Sequence, residues 1–339
     1  MKNSISIDYS PHKLWNLYKK NPPIKYRRPY FLGQFLHTFN SIRPRFFGRN
    51  IVEFEHILHL TGESRDYVRM LDGRDVLFEK LQNDKVCALI APTKTAIDIC
   101  GSYFPDFSKI EKKFHHVPAG VITKDFSEKQ VNSRLNLLFI GNKFWGKGGN
   151  IAIAVTNMLN FQGIPTCLKM VCSDVPANYP IPEYVDVITT KKLDEKEKDR
   201  LYASADLFLF PVLHDSFGVH LECLEYSLPM ITTDIYDKSE IIEQGVSGYL
   251  VKPPFELYGS GFGVEWKNWD AFIEHVQLCD REGGFSGIVD KMVEKITTFY
   301  DDKQKLIGFR LSMLQNTKAK FSISNRNCSV NNVYNSISR

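Results

Sequence analysis

Two short stretches of this 339-residue chain combine charge, small residues and glycine in a way that suits a ligand. In LFIGNKFWGKGGN, residues 138–150, an apolar run leaves through Gly141 into Asn142, Lys143 and Lys147, then Gly148 and Gly149. Lysines beside a glycine turn that opens a helix suit a diphosphate, because direct charge adds to backbone N–H donors. The same lysines would serve equally well as solvated surface charges. In HDSFGVHLE, residues 214–222, the Ser216-Phe217-Gly218 turn places uncrowded amides at a helix start, where an anion is favoured. Asp215 before the turn and Glu222 within the helix could accept hydrogen bonds from sugar hydroxyls. Each acid alone could instead be a helix N-terminal charge.

These stretches need a scaffold, and the pattern around them supplies one. LNLLFIG (135–141), CLKMVCS (167–173), DLFLFP (206–211), MITTD (230–234) and GYLVK (248–252) are short apolar runs. Helix-length segments 148–163, 194–205, 218–227 and 238–244 alternate with them. That alternation predicts β-α-β units, a parallel sheet and helices on both faces. In such sheets ligands sit outside the carboxyl ends of the strands, which is where both stretches fall. Upstream, RNIVEFEHILHL (49–60) contains a strand, residues 79–104 read as strand then helix, and FHHVPAGV (114–121) as a further strand. No strand opening a phosphate loop is expected before residue 49, and 122–134 reads as a linker.

Composition narrows the class. A hydrophobic fraction of 43% supports sizeable cores. No secretory leader and no run of about 18 apolar residues is evident, so a cytoplasmic protein is expected. Seven scattered cysteines without a C-x-x-C pair read as reduced and largely buried. The net charge of +4 conceals an imbalance: residues 1–50 carry ten Lys/Arg against the single acid Asp8. Interleaved with aromatics, the charges in 9–49 suit an anionic membrane surface, where a peripheral protein would sit at the inner face. A basic face over an ordinary aromatic core is the alternative, and no nucleic-acid module accompanies the charge.

The run 205–251, ADLFLFPVLHDSFGVHLECLEYSLPMITTDIYDKSEIIEQGVSGYLV, resembles the donor-binding half of retaining GT-B glycosyltransferases of family 4, the glycosyl transferases group 1. Pro211, Asp215, Phe217-Gly218, Glu222, Pro229 and Glu240 through Leu250 carry the resemblance, with LLFIGNKFWGKGG (137–149). HHVPAGV (115–121) and FSISNRN (321–327) extend it weakly over roughly residues 86–330. It implies an α/β GT-B fold: two Rossmann-like doubly wound domains facing a cleft, the N-terminal one shortened. The implied domains are 1–130 on the acceptor side, 131–320 for the nucleotide sugar, and a helix in 321–339 crossing back.

The same resemblance implies a metal-independent hexosyltransferase without a cofactor. A UDP- or GDP-linked sugar would pass with retention to a glycan or lipid-linked acceptor, in surface polysaccharide or glycolipid synthesis. Lys147 and the Gly218 amide would hold the diphosphate, Glu222 the ribose, and Asp215 would face the transferred sugar. Gly141, Asn142, Lys143, Ser216 and Phe217 would line the donor, and His56, closing IVEFEH, would lie near its sugar. His214 and His220 flank the loop. Cys172-Ser173-Asp174 and Val187–Lys192 are loops that could read the base.

Three departures from the family pattern weigh on this. Asn142 stands where Arg is usual, and Asp215 and Glu222 are separated by six residues where seven are usual. The N-terminal half also lacks a recognisable glycine-rich loop. They motivate the alternative of a non-catalytic GT-B scaffold that binds a nucleotide or a partner glycosyltransferase. Another GT-B chemistry, epimerase or phosphorylase, fits the ordered motifs less well.

Overall fold

The computed structural model describes residues 35–40, 42, 49–57, 60, 73–124, 133–189, 192–214, 216–257 and 266–337. The described residues form two compact units, one holding those up to Ile122 and those from Lys318 on, the other Thr123–Thr317.

In the first unit, β1 (Phe35–Phe39), β2 (Arg49–Glu53), β3 (Val86–Ala91) and β4 (Phe114–His116) make a parallel sheet in that order. VCALIA in β3 is buried almost throughout, as a strand covered on both faces must be. Helix α1 (Arg74–Gln82) precedes β3, and α2 (Lys94–Tyr103) follows it, capped by the Thr93 hydroxyl accepting the Ala96 N–H at 3.3 Å. Two of these elements bear on the sequence expectations. FLHTF (35–39) is a strand in the stretch before residue 49 where no strand opening a phosphate loop is expected, and residues 79–82 continue a helix where a strand is expected.

The second unit carries six parallel strands: β5 (Leu135–Ile140), β6 (Thr166–Val171), β7 (Val185–Ile188), β8 (Leu207–Phe210), β9 (Met230–Thr233) and β10 (Gly248–Val251). Their order is β10-β9-β8-β5-β6-β7. The chain starts at β5, winds outward to β7, returns beside β5 as β8 and winds the other way. Helices α3 (Gly149–Phe161), α4 (Glu195–Ser204), α5 (Gly218–Glu225) and α6 (Lys238–Ile241) connect the strands. The reversal between β5 and β8 opens a crevice at their carboxyl ends, the usual ligand position in doubly wound sheets. β8 and β9 are buried at every residue: LFLF is a continuous apolar run, while in MITT the Thr232 and Thr233 hydroxyls donate to Phe210 O and Val212 O.

Beyond Lys252, where the sequence reading ends, α7 (Trp269–Arg281), α8 (Ser286–Asp301) and α9 (Lys303–Lys320) follow. Helix α8 turns Ile288, Met292, Val293, Ile296 and Phe299 inward and packs on α3. The last helix, α10 (Ile323–Ile337), returns to the first unit, where Val330 and Val333 close a core with Ile51, Ala88, Ile90 and Val117. Arg326 of α10 donates to Glu53 Oε1 at 2.6 Å, and His37 Nδ1 lies 2.7 Å from the Tyr334 hydroxyl. Burial alone would raise the Glu53 pKa, but the charges and hydrogen bonds of Arg326 and His37 outweigh it and hold the carboxyl below its ordinary value.

All seven cysteines are free, but only Cys100, Cys172 and Cys223 are buried. Cys87, Cys167 and Cys279 are half-buried and Cys328 is exposed, so the expectation of a largely buried set is corrected. Most of the basic segment 9–49 lies outside the described residues. No helix among the described residues is long and apolar enough to cross a membrane.

Candidate functional site

The loop leaving β5 is shaped by close contacts that only glycine permits. The Gly141 N–H donates to Val171 O at 2.9 Å, and a Cβ on Gly141 would come within 2.8 Å of the Lys147 Cβ. Gly148 adopts φ +75°, and a Cβ there would lie 2.0 Å from the Pro211 carbonyl oxygen. Both the left-handed backbone and the contact demand glycine. The β5 loop is thereby pressed onto the end of β8, and Leu213 N–H donates to Gly146 O at 3.1 Å. Lys147 emerges half-buried from this junction, its Nζ 6.0 Å from the centre of the Phe210 ring.

Asn142 and Lys143 are exposed on the same loop. Lys143 Nζ lies 3.5 Å from Asp174 Oδ2, while Asp174 Oδ1 accepts the Phe144 N–H at 2.8 Å. Asp174, expected on a base-reading loop, thus staples the β5 loop to the end of β6. Val187 and Ile188, placed in the other such loop, are the last residues of β7. Burial pushes the neighbouring Cys172 thiol up to about 12, so it stays protonated.

Across the crevice, Ser216 and Phe217 lead into α5, which opens at the exposed Gly218 with open space above its Cα. Phe217 is the N-cap and makes no side-chain cap hydrogen bond, while the His220 N–H donates to Phe217 O at 3.1 Å. Asp215 lies outside the described residues. His220 on α5 is fully buried, edge-on to Phe210 at 5.5 Å. Burial first, then the charges of Lys238 and Lys147, push its pKa well below the ordinary value against a weaker pull from the Ser216 backbone. Lys238 is itself fully buried, with Asp237 Oδ1 at 2.5 Å.

Glu222, one turn into α5, is held from α4. Lys198 Nζ donates to its Oε1 at 2.8 Å and the Tyr202 hydroxyl to its Oε2 at 2.6 Å. Nothing in the local spacing points to Lys198 or Tyr202, which lie 24 and 20 residues before Glu222. His56 belongs to the other unit, just past β2, and is only 1% exposed. The site residues therefore divide: Gly141, Asn142, Lys143, Lys147, Ser216, Phe217, Gly218 and Glu222 sit on the loops after β5 and β8 or on α5, and His56 does not. Among the described residues no cluster of His, Cys, Asp and Glu could hold a metal ion.

Residues 182–258, which span β7 to β10, match the family model for glycosyl transferases group 1. The group 1 match lies within that segment. The group 1 segment includes the β8–α5 loop and the α4 residues that hold Glu222. No curated protein sequence matches the chain. Among solved structures it is similar to TarM from S. aureus in complex with fondaparinux, alpha-GlcNAc-glycerol and UDP, at 13% identity and TM-score 0.57 over 84% of this chain and 51% of that one. It is similar to the pneumococcal O-GlcNAc transferase GtfA in complex with UDP and GlcNAc, at 15% identity and TM-score 0.56 over 84% and 56%. A third is Anabaena HepE in complex with UDP-glucose, at 12% identity and TM-score 0.58 over 86% and 72%. The chain thus spans about half the length of TarM and GtfA. At these identities the likeness speaks for the fold, and the two parallel sheets, the N-terminal one smaller, agree with the GT-B expectation.

Proposed function

We propose that the chain is a nucleotide-sugar-dependent glycosyltransferase acting with retention on a glycan or lipid-linked acceptor. The observation that carries this reading is the convergence, at the β5/β8 reversal, of Lys147 with the uncapped start of α5 inside a group 1 segment. A diphosphate placed there would meet a cation on one side and helix N–H groups on the other. Both interactions strengthen as charge develops on the departing phosphate, so they favour bond breaking more than ground-state binding. No step in this scheme requires a metal. Glu222 on α5 would take the ribose hydroxyls, and Asp215 and His56 would act on the transferred sugar. With UDP, GlcNAc and UDP-glucose named in the similar structures, UDP-linked hexoses and N-acetylhexosamines are the first donors to try.

The test is a thermal-shift titration with UDP, GDP and their common sugar conjugates, combined with slow donor hydrolysis. A ligand at about 100 times its Kd adds roughly 2.7 kcal/mol, well within reach of such a scan. We expect one nucleotide class to shift the protein selectively, and Lys147→Ala to weaken that nucleotide about 10- to 100-fold, the range for one charge-assisted contact. Binding without hydrolysis or transfer would favour the scaffold alternative, which Asn142 in place of a second cation motivates. No shift with any nucleotide would sink the glycosyltransferase reading and leave only the scaffold for a partner glycosyltransferase.

A further inference from the structure

Resting on the reading above, we infer that Lys198 and Tyr202 are positioning residues for the nucleotide ribose, acting through Glu222 to make the site demand a ribonucleotide. Each oxygen of the Glu222 carboxylate receives one donor from α4: Lys198 Nζ on Oε1 at 2.8 Å, and the Tyr202 hydroxyl on Oε2 at 2.6 Å. Two donors on two different oxygens fix the carboxylate plane as well as its position. One donor alone would leave the group free to swivel about its terminal torsion, which is broad for glutamate. A carboxylate has acceptor capacity for about four hydrogen bonds, so being held in this way is compatible with accepting from a vicinal diol.

The two donors have different chemistry, and both suit the task. Tyr202 is 1% exposed, and burial together with the Glu222 charge raises its pKa well above the ordinary value. Its phenol therefore remains an O–H donor across any working pH. Lys198 brings positive charge to a carboxylate whose side chain is only 17% exposed, offsetting the cost of keeping it ionised there. Vicinal hydroxyls bind an ionised carboxylate more strongly than a neutral acceptor.

A second row of contacts keeps α4 and α5 in fixed register behind this arrangement. Tyr202 stacks on Tyr226 with ring centres 4.4 Å apart and planes 9° from parallel. The Tyr226 hydroxyl donates to Asp199 Oδ1 at 2.5 Å, and Lys124 bonds Asp199 and Tyr226. Lys124 Nζ also lies 3.3 Å from Glu225 Oε1. Tyr202 takes part in both rows, donating to Glu222 while its ring lies on Tyr226.

The experiment compares UDP with 2′-deoxy-UDP, and GDP with 2′-deoxy-GDP, by calorimetry on the full chain. The proteins are wild type, Lys198→Met, Lys198→Arg and Tyr202→Phe, each with its unfolding midpoint recorded. Wild type should bind the ribonucleotide at least about tenfold more tightly than its deoxy counterpart, because a site built to receive a hydroxyl penalises its loss. Lys198→Met and Tyr202→Phe should lower ribonucleotide affinity while barely changing the deoxy form, bringing the ratio towards one. Lys198→Arg should restore part of it. Tyr202→Phe keeps the ring that stacks on Tyr226, so it preserves the packing while removing the donor. If the ratio stays at the wild-type value in Lys198→Met and Tyr202→Phe, or wild type shows no preference, the inference is overturned with the function intact. If wild type binds none of the four nucleotides, the glycosyltransferase reading itself fails and this inference with it.

Discussion

Gly148 and Lys147 show how one residue can be committed to backbone geometry and the next to charge. With φ at +75° and the Pro211 carbonyl where a Cβ would stand, Gly148→Ala combines left-handed strain with backbone overlap. We expect it to cost at least about 2 kcal/mol, seen as a lower unfolding midpoint, and to disturb the adjacent Lys147. The glycines and lysines of this loop are legible in the sequence because the turn chemistry lies within a dozen contiguous residues. Lys143 is not: its pairing with Asp174 depends on β6 ending beside β5, which no local pattern reveals. Glu222 is legible as an acid one turn into a helix, whereas its anchoring by Lys198 and Tyr202 comes from a different helix.

Among the elements, α4 matters most for the candidate site because its register sets where Lys198 and Tyr202 fall. A capping box begins it: Asp194 Oδ1 accepts the Glu197 N–H at 2.7 Å, and Glu197 Oε2 accepts the Asp194 N–H at 2.7 Å. Asp194→Ala should cost about 1 kcal/mol of stability and, by fraying the turn before Lys198, weaken nucleotide binding. Chemical denaturation and the UDP titration together check both. Strands β5, β8 and β9 are readable from sequence because they are central, buried on both faces and bounded by Gly or Pro. β7 is harder, since VDVI is short and buried fully only at Val185. β1 is harder still, because its half-buried residues 36–39 sit in a stretch dominated by basic and aromatic residues that equally suits a surface. Helices α7 and α8 carry apolar faces with the 3.6-residue period and were open to the same reading.

For the whole molecule, groups with depressed pKa values make both units sensitive to acid. His220 in the second unit has a depressed pKa when folded, so its contribution is complete above its unfolded value of about 6.5 and is lost as pH falls below it. Glu53 in the first unit also has a depressed pKa, and its contribution persists above the ordinary carboxylate range and fades as pH falls through the lower folded value. Burial also lowers the His115 pKa in the first unit, so unfolding followed against pH should show loss beginning near pH 6.5 in both units, with the Glu53 loss added in the first below about pH 4.5. Glu53→Gln should flatten the acid limb of the first unit, and Arg326→Met, which strands a buried carboxylate, should cost about 3–5 kcal/mol. Arg326 belongs to α10, together with Val330 and Val333 of the first unit's core. During synthesis the β1–β4 sheet leaves the ribosome long before its covering helix exists, and the whole of Thr123–Thr317 is translated in between. The order of completion is thereby inverted: the second unit can finish first, while the earlier-made sheet waits with Ile51, Ala88 and Ile90 uncovered and exposed to chaperones. Protease protection of stalled nascent chains should accordingly appear in the second unit before the first.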